Sequence, residues 1–213
     1  MSTVWFLIAV VAVLIGVALL FADRSRGSEG ARDRRRWAAL HDWEWAESDP
    51  VLTNRWRYGT IHQGGPGVAR NIVTGDVPTP DGGRQGYVFD HEQVGRVSSV
   101  LVAVALREPV PAAVELRLPS APLPDGGGLD LLEPVGDRYS FVADADMVRP
   151  LLTRRLADAA DAVGDDVELL WAEDTWVLAA APVASTPERL QDLLADLAEV
   201  ASVLEDALTS SPR

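Results

Sequence analysis

Residues 167–186 read VELLWAEDTWVLAAAPVAST, and residues 187–208 continue PERLQDLLADLAEVASVLEDAL. Two short apolar runs, Val167–Trp171 and Trp176–Ala181, flank Glu173-Asp174-Thr175. Their length, their aromatic and β-branched content and the polar turn between them predict a β-hairpin. Behind it, Ser185 or Thr186 is placed to cap a helix, with Pro187 as its first residue and Glu188 in its first turn. Leu190, Leu193, Leu197, Val200, Leu204 and Ala207 recur at spacings of three and four. That spacing makes one apolar stripe, with Asp192, Asp196, Glu199, Glu205 and Asp206 mostly off it. The stripe is too short for a coiled coil and predicts a helix facing the core of its own domain.

Upstream the pattern is strand-rich. Val68–Gly75, Gln85–His91, Val97–Leu106, Val114–Leu118 and Arg138–Ala143 read as strands, with Asp81-Gly82-Gly83 as a hairpin turn. Arg32–Leu40 looks helical. Asp49-Pro50 is expected to open a short helix running to Trp56, and Asp146, or else Asp144, to cap a helix ending near Gly164. Strands joined by tight turns, with no regular strand–helix alternation, point to an α+β domain with a mainly antiparallel sheet and packed helices. Residues 37–213 are enough for one such domain. The stretch PSAPLPDGGG, residues 119–128, is the best internal boundary and is a candidate divide between two halves of it.

The chain opens differently. Val4–Ala22 reads VWFLIAVVAVLIGVALLFA and carries no charge. A helix of that length reaches about 28 Å, close to the thickness of a bilayer's hydrocarbon. The run is too long, and its exit too bulky, for a cleaved signal peptide. The expectation is therefore an N-terminal single transmembrane helix over residues 1–22, with Trp5 at the outer interface. An Arg-rich juxtamembrane segment, residues 23–36, follows and contains Arg24, Arg26, Arg32, Arg34, Arg35 and Arg36. The positive-inside rule then predicts a single-pass protein of the inner (cell) membrane with a cytoplasmic C-terminal domain.

Charge and composition narrow the partners. Six arginines against Asp23, Glu29 and Asp33 give residues 1–36 a formal +3, so the −13 of the whole chain leaves −16 for residues 37–213. An acidic domain repels phosphate backbones and argues against nucleic acid as a partner. There is no cysteine, hence no disulfide framework and no thiolate chemistry. All 19 basic residues are arginine, a bias typical of a GC-rich actinobacterial genome.

No catalytic, cofactor-binding or metal-ligating set emerges. In Phe89-Asp90-His91-Glu92 the strand period turns His91 away from Asp90 and Glu92, so these read as ordinary surface residues. His41, His62 and His91 show no metal-ligand spacing. The loop Gly64-Gly65-Pro66-Gly67 lacks the lysine and the strand-to-helix setting of a phosphate cradle. Trp171 and Trp176 are explained by cross-strand packing.

Read in order, RRRWAALHDW (34–43), LTNRWRYG (52–59), VARNIVTG (68–75), YVFDHE (87–92), VELRLP (114–119) and the 167–186 block resemble the mycobacterial trehalose monomycolate transport factor family and its actinobacterial relatives. Family members are expected to carry a longer polar tail beyond the last helix. The resemblance implies a non-catalytic accessory or adaptor protein of the cell envelope. It would act through protein–protein interaction with an RND-family transporter that moves a trehalose monomycolate-like mycolic acid lipid. It supplies no catalytic residues and no cofactor. The alternative is a membrane-tethered lipid- or small-molecule-binding module, which would need a sizeable apolar cavity.

Overall fold

The structure, a computed structural model, describes residues 30–61, 63, 65–124 and 128–210. Residues 30–40 form helix α1. Strand β1 spans Glu44–Asp49, and a 3-10 turn spans Leu52–Arg55. Then come β2 (Val68–Thr79), β3 (Gly82–Gln93), β4 (Arg96–Ala105), β5 (Val114–Arg117), β6 (Asp130–Leu131) and β7 (Tyr139–Val142). After α2 (Ala145–Val148), a 3-10 turn at Arg149–Leu151 leads to α3 (Arg154–Ala162). The chain finishes with β8 (Leu169–Glu173), β9 (Trp176–Ala181) and α4 (Pro187–Ser210).

All nine strands join one sheet in the order β1-β2-β3-β4-β9-β8-β5-β7-β6, and each pairing is antiparallel. The central strands are buried on both faces, which is why β4 and β9 read as unbroken apolar runs. Alternate residues face opposite ways. Val100, Val102 and Val104 of β4 join the core beneath the helices, while Leu101 and Ala103 join a second cluster on the far face.

The hairpin at the C-terminal end forms as its turn chemistry requires. Glu173 pairs with Trp176 across Asp174-Thr175, and Asp174 takes the left-handed conformation at φ 49° that aspartate tolerates. In α4 the whole stripe from Leu190 to Ala207 is buried, so it faces the domain's own core. Thr186 caps the helix, its Oγ1 accepting the Arg189 amide at 3.3 Å. Leu193 and Leu197 are fully buried, each worth about 1.5–3 kcal/mol of apolar transfer.

Three expectations are corrected. The fold is a nine-stranded antiparallel sheet with helices, and among the described residues no helix is long and apolar enough to cross a membrane. The expected fold class, with its N-terminal transmembrane helix, is not upheld; Val4–Ala22, to which the sequence assigns that helix, lies outside the described residues. The longest described helix, α4, is amphipathic: Asp192, Asp196, Glu199 and Asp206 rule out a lipid-facing surface on every side. The single helix expected to end near Gly164 is broken in two. Pro150 cannot continue an α-helix, so Asp144 caps α2 through the Asp146 and Met147 amides, and Thr153 caps α3 afresh. The helix expected from Asp49-Pro50 is only a 3-10 turn, held by Asp49 Oδ1 accepting the Val51 and Leu52 amides.

Candidate functional site

The two sheet faces are covered differently. Helices α1, α3 and α4 cover one face. The other is covered by a loop, described over residues 50–61, 63 and 65–67, whose Trp56 stacks on Phe89 at 5.8 Å and meets Trp176 edge-on at 5.7 Å. A loop brings unpaired backbone amides onto the sheet, and buried amides need acceptors. Two carboxylates supply them.

Glu115 and Arg117 alternate with Val114 and Leu116 along β5, so both project toward the loop while the valine and leucine enter the helix-side core. Glu115 Oε1 accepts the Gly59 amide at 2.6 Å, and its Oε2 accepts Arg117 Nε at 2.8 Å. Arg117 also donates to the Pro122 carbonyl, tying down the loop that follows β5. On β8, Glu173 accepts the Arg57 amide at 2.9 Å, the Tyr58 amide at 3.2 Å and Trp171 Nε1 at 2.9 Å. Gly59 sits at φ 65°, and a Cβ there would lie 2.6 Å from the Trp171 ring, so no other residue fits without displacing the loop. Burial pushes the Glu173 carboxyl above its ordinary value, against the pull of those three N–H donors; the nearby Glu115 charge pushes the same way.

The loop's return is pinned from β3. The Gln93 side-chain amide donates to the Gly65 carbonyl at 2.7 Å and the Gln63 carbonyl at 3.1 Å. His91 is fully buried and donates from Nε2 to the Pro66 carbonyl at 3.0 Å, leaving Nδ1 without a partner. Burial lowers its pKa, with the Pro66 carbonyl opposing, so the ring is held neutral. Its neighbour Asp90 faces the helices, where it bonds Arg34 and accepts Asn71 Nδ2 at 2.7 Å. Asn71 reaches it from a bulge in β2, at a left-handed φ of 49°. Asp90 and His91 are therefore interior residues and not the surface residues expected; the strand period does turn them to opposite faces.

Of the residues marked as the membrane foot, Trp5, Arg24 and Arg26 lie outside the described residues. Arg32, Arg35 and Arg36 are exposed on α1, with the Arg35 guanidinium 4.5 Å above the Trp45 ring. Arg34 turns inward to Asp90 and is buried. Across the hairpin Trp171 opposes Leu178 and Trp176 opposes Glu173, and both tryptophans pack into the apolar cluster on the loop face.

Glu115, Arg117, Glu173 and Gly59 were not marked by the sequence. The available signal was the opposite-charge pair two residues apart in Val114–Leu118, which shares a face but reads as a solvated edge. Each of these buried groups is saturated by hydrogen bonds that hold the loop, so the arrangement acts on shape. Among the described residues no three His, Asp or Glu side chains gather to hold a metal ion. The gap between sheet and helices, lined by Val114, Leu156, Leu170 and Leu204, holds about 10 Å³. That is less than one acyl methylene chain requires by a wide margin.

Comparison with known proteins places these features. The family model described as trehalose monomycolate transport factor TtfA matches residues 1–205. Trehalose monomycolate transport factor A of Mycolicibacterium smegmatis is 28% identical over 185 residues. That match takes in 87% of this chain and 64% of the relative, so the chain spans somewhat less than two thirds of that protein's length. The crystal structure of the mycobacterial trehalose monomycolate transport factor A is similar at a TM-score of 0.73 and 26% identity, covering 86% of this chain and 98% of that one.

Proposed function

The chain belongs to the trehalose monomycolate transport factor TtfA family, and on that premise we propose that it is a non-catalytic accessory factor for an RND-family transporter of a trehalose monomycolate-like envelope lipid, acting at the cytoplasmic face of the inner membrane. The family match over residues 1–205 carries this reading. The packing supports contact over carriage: a lipid-binding module needs a cavity of several hundred Å³, whereas the gap between sheet and helices holds about 10 Å³. The buried carboxylates support it as well, since Glu115 and Glu173 are spent on the loop's amides and present no free base to a substrate. Crosslinking in native membranes, followed by capture of the full chain and mass spectrometry, tests the role. Enrichment of an RND-family transporter, together with impaired envelope-lipid export on depletion, is the expected result. Enrichment of cytoplasmic metabolic enzymes alone would overturn it.

A further inference from the structure

The stretch PSAPLP, residues 119–124, follows β5 and is held to the domain by its carbonyl groups. A turn closes its start, the Ala121 amide donating to the Leu118 carbonyl at 2.9 Å. Arg117, buried and paired with Glu115, donates to the Pro122 carbonyl. The Gln63 side-chain amide donates to the Leu123 carbonyl at 3.3 Å, and the Gln63 carbonyl in turn accepts from Gln93.

The backbone of this run is restricted by its own residues. A proline fixes its φ at about −65° and pushes the residue before it into the extended region. Pro122 and Pro124 therefore restrict Ala121 and Leu123 as well, and the run takes an extended, polyproline-II-like course. Residues 122–124 accordingly belong to no helix and no strand. With two carbonyls turned toward the domain, the groups left facing solvent are rings and side chains. Pro119, Pro122 and Leu123 are exposed, Leu123 to 69%, and Leu123 belongs to neither core cluster.

Ordering a segment costs entropy, and a buried guanidinium is itself costly to desolvate. Here both are committed to a leucine that covers no part of the core. A run already ordered in this way loses little further freedom on binding. Exposed proline rings of an extended run pack on flat aromatic faces, and a groove lined by such faces is what recognises them. The surface beside the run extends the contact. Tyr139, exposed, lies across from Arg117, and Leu131, exposed, lies across from Phe141 on the same face.

Charge completes the description of the occupant. Arg96 opposes Gln93, the residue that holds Gln63, and Val94 stands exposed at the same turn. Glu92 is paired with Arg70 and Glu115 with Arg117, whereas Arg96 is exposed and has no ion-pair partner among the described residues. An unpaired cation beside an uncharged run calls for a carboxylate on the other side of the contact. We propose that residues 119–124 are a docking arm for an aromatic-lined groove on another protein, with an acidic residue at the rim of that groove to meet Arg96. The arm does not depend on the transporter proposed above as partner.

Photo-crosslinking on the full chain in its native membranes tests this. The photoreactive residue p-benzoylphenylalanine replaces Leu123 or, as a control on the helix-covered side, Leu40; a probe at Ser120 reads the arm with its leucine intact. Irradiation should give severalfold more adduct from positions 123 and 120 than from 40. Mass spectrometry should map that adduct to a peptide of another protein that carries tryptophan or tyrosine close to aspartate or glutamate. Pro122→Ala together with Pro124→Ala frees the backbone and keeps both carbonyls, so it should cut the adduct severalfold with the thermal midpoint unchanged. Arg96→Glu should cut it as well, and Arg96→Lys should not. Equal adducts from 123 and 40, adducts on lipid or on a second copy of this chain, or a yield indifferent to the proline substitutions would overturn the proposal. An adduct on a protein that is no RND-family transporter would leave the arm in place and remove the accessory role; a transporter captured with no adduct from 123 or 120 would do the reverse.

Discussion

One face of the sheet is closed by helices and the other by a loop, and the chemistry beneath them differs accordingly. Under α1, α3 and α4 the core is chiefly valine, leucine and alanine, because a helix satisfies its own backbone; its few buried charges, Arg34 on Asp90, Arg84 on Glu205 and Arg138 on three carbonyls, tie the helices and the turn after α3 to the sheet. Under residues 50–67 the same sheet buries Glu115, Arg117, Glu173 and His91 among aromatic rings. The loop cannot satisfy its amides internally, so the sheet must offer acceptors. On the loop side the buried charge serves the amides of the covering and need not signal reactivity.

The largest effect should come from breaking the loop side. Glu115→Ala strands the buried Arg117 guanidinium and the Gly59 amide, and should cost about 3–5 kcal/mol in urea unfolding. Limited proteolysis should then cut within residues 50–67 first. On the helix side, Leu197→Ala removes apolar volume alone and should cost about 2–5 kcal/mol, with no selective opening of the loop. If Leu197→Ala left stability unchanged, the α4 stripe would have to serve a partner and not the core.

A pH series sharpens the contrast, since both titrating groups concerned lie on the loop side. His91 has its pKa lowered by burial from 6.5, so the unfolded chain takes up a proton that the folded one refuses. Its contribution is complete above pH 6.5 and is lost as pH falls through the lowered value. Glu173 has its pKa raised from 4.5, so its contribution is complete below pH 4.5 and is lost as pH rises through the raised value. Between pH 4.5 and 6.5 the two contributions oppose each other. His91→Gln should therefore leave a thermal midpoint that declines more steeply with rising pH than in the parent. The smallest effect should lie outside both layers. Arg155 and Asp206 pair across the exposed surfaces of α3 and α4, and Arg155→Ala should shift stability by about 0–1 kcal/mol.

Local chemistry determined much of this fold in advance. The β8–β9 hairpin, the cap and buried stripe of α4, and the strands around Val68, Gln85, Val97 and Val114 follow from period, turn residues and capping, which act between neighbours in the chain. The same local signals erred where two of them competed: Pro150 overrode the helical pattern after Asp146, and β1, too polar to alternate cleanly, went unread. Apolar content at the N-terminus pointed to a membrane helix, and the described fold holds none. What only tertiary structure decided is which polar residues go inside. Glu115, Glu173, Arg34 and His91 look like surface residues in sequence, because nothing within four positions of them distinguishes a solvated face from one roofed by a loop. That roof arrives from a segment 56 residues away for Glu115 and 116 for Glu173. A carboxylate becomes an interior acceptor only once those distant amides are brought onto it.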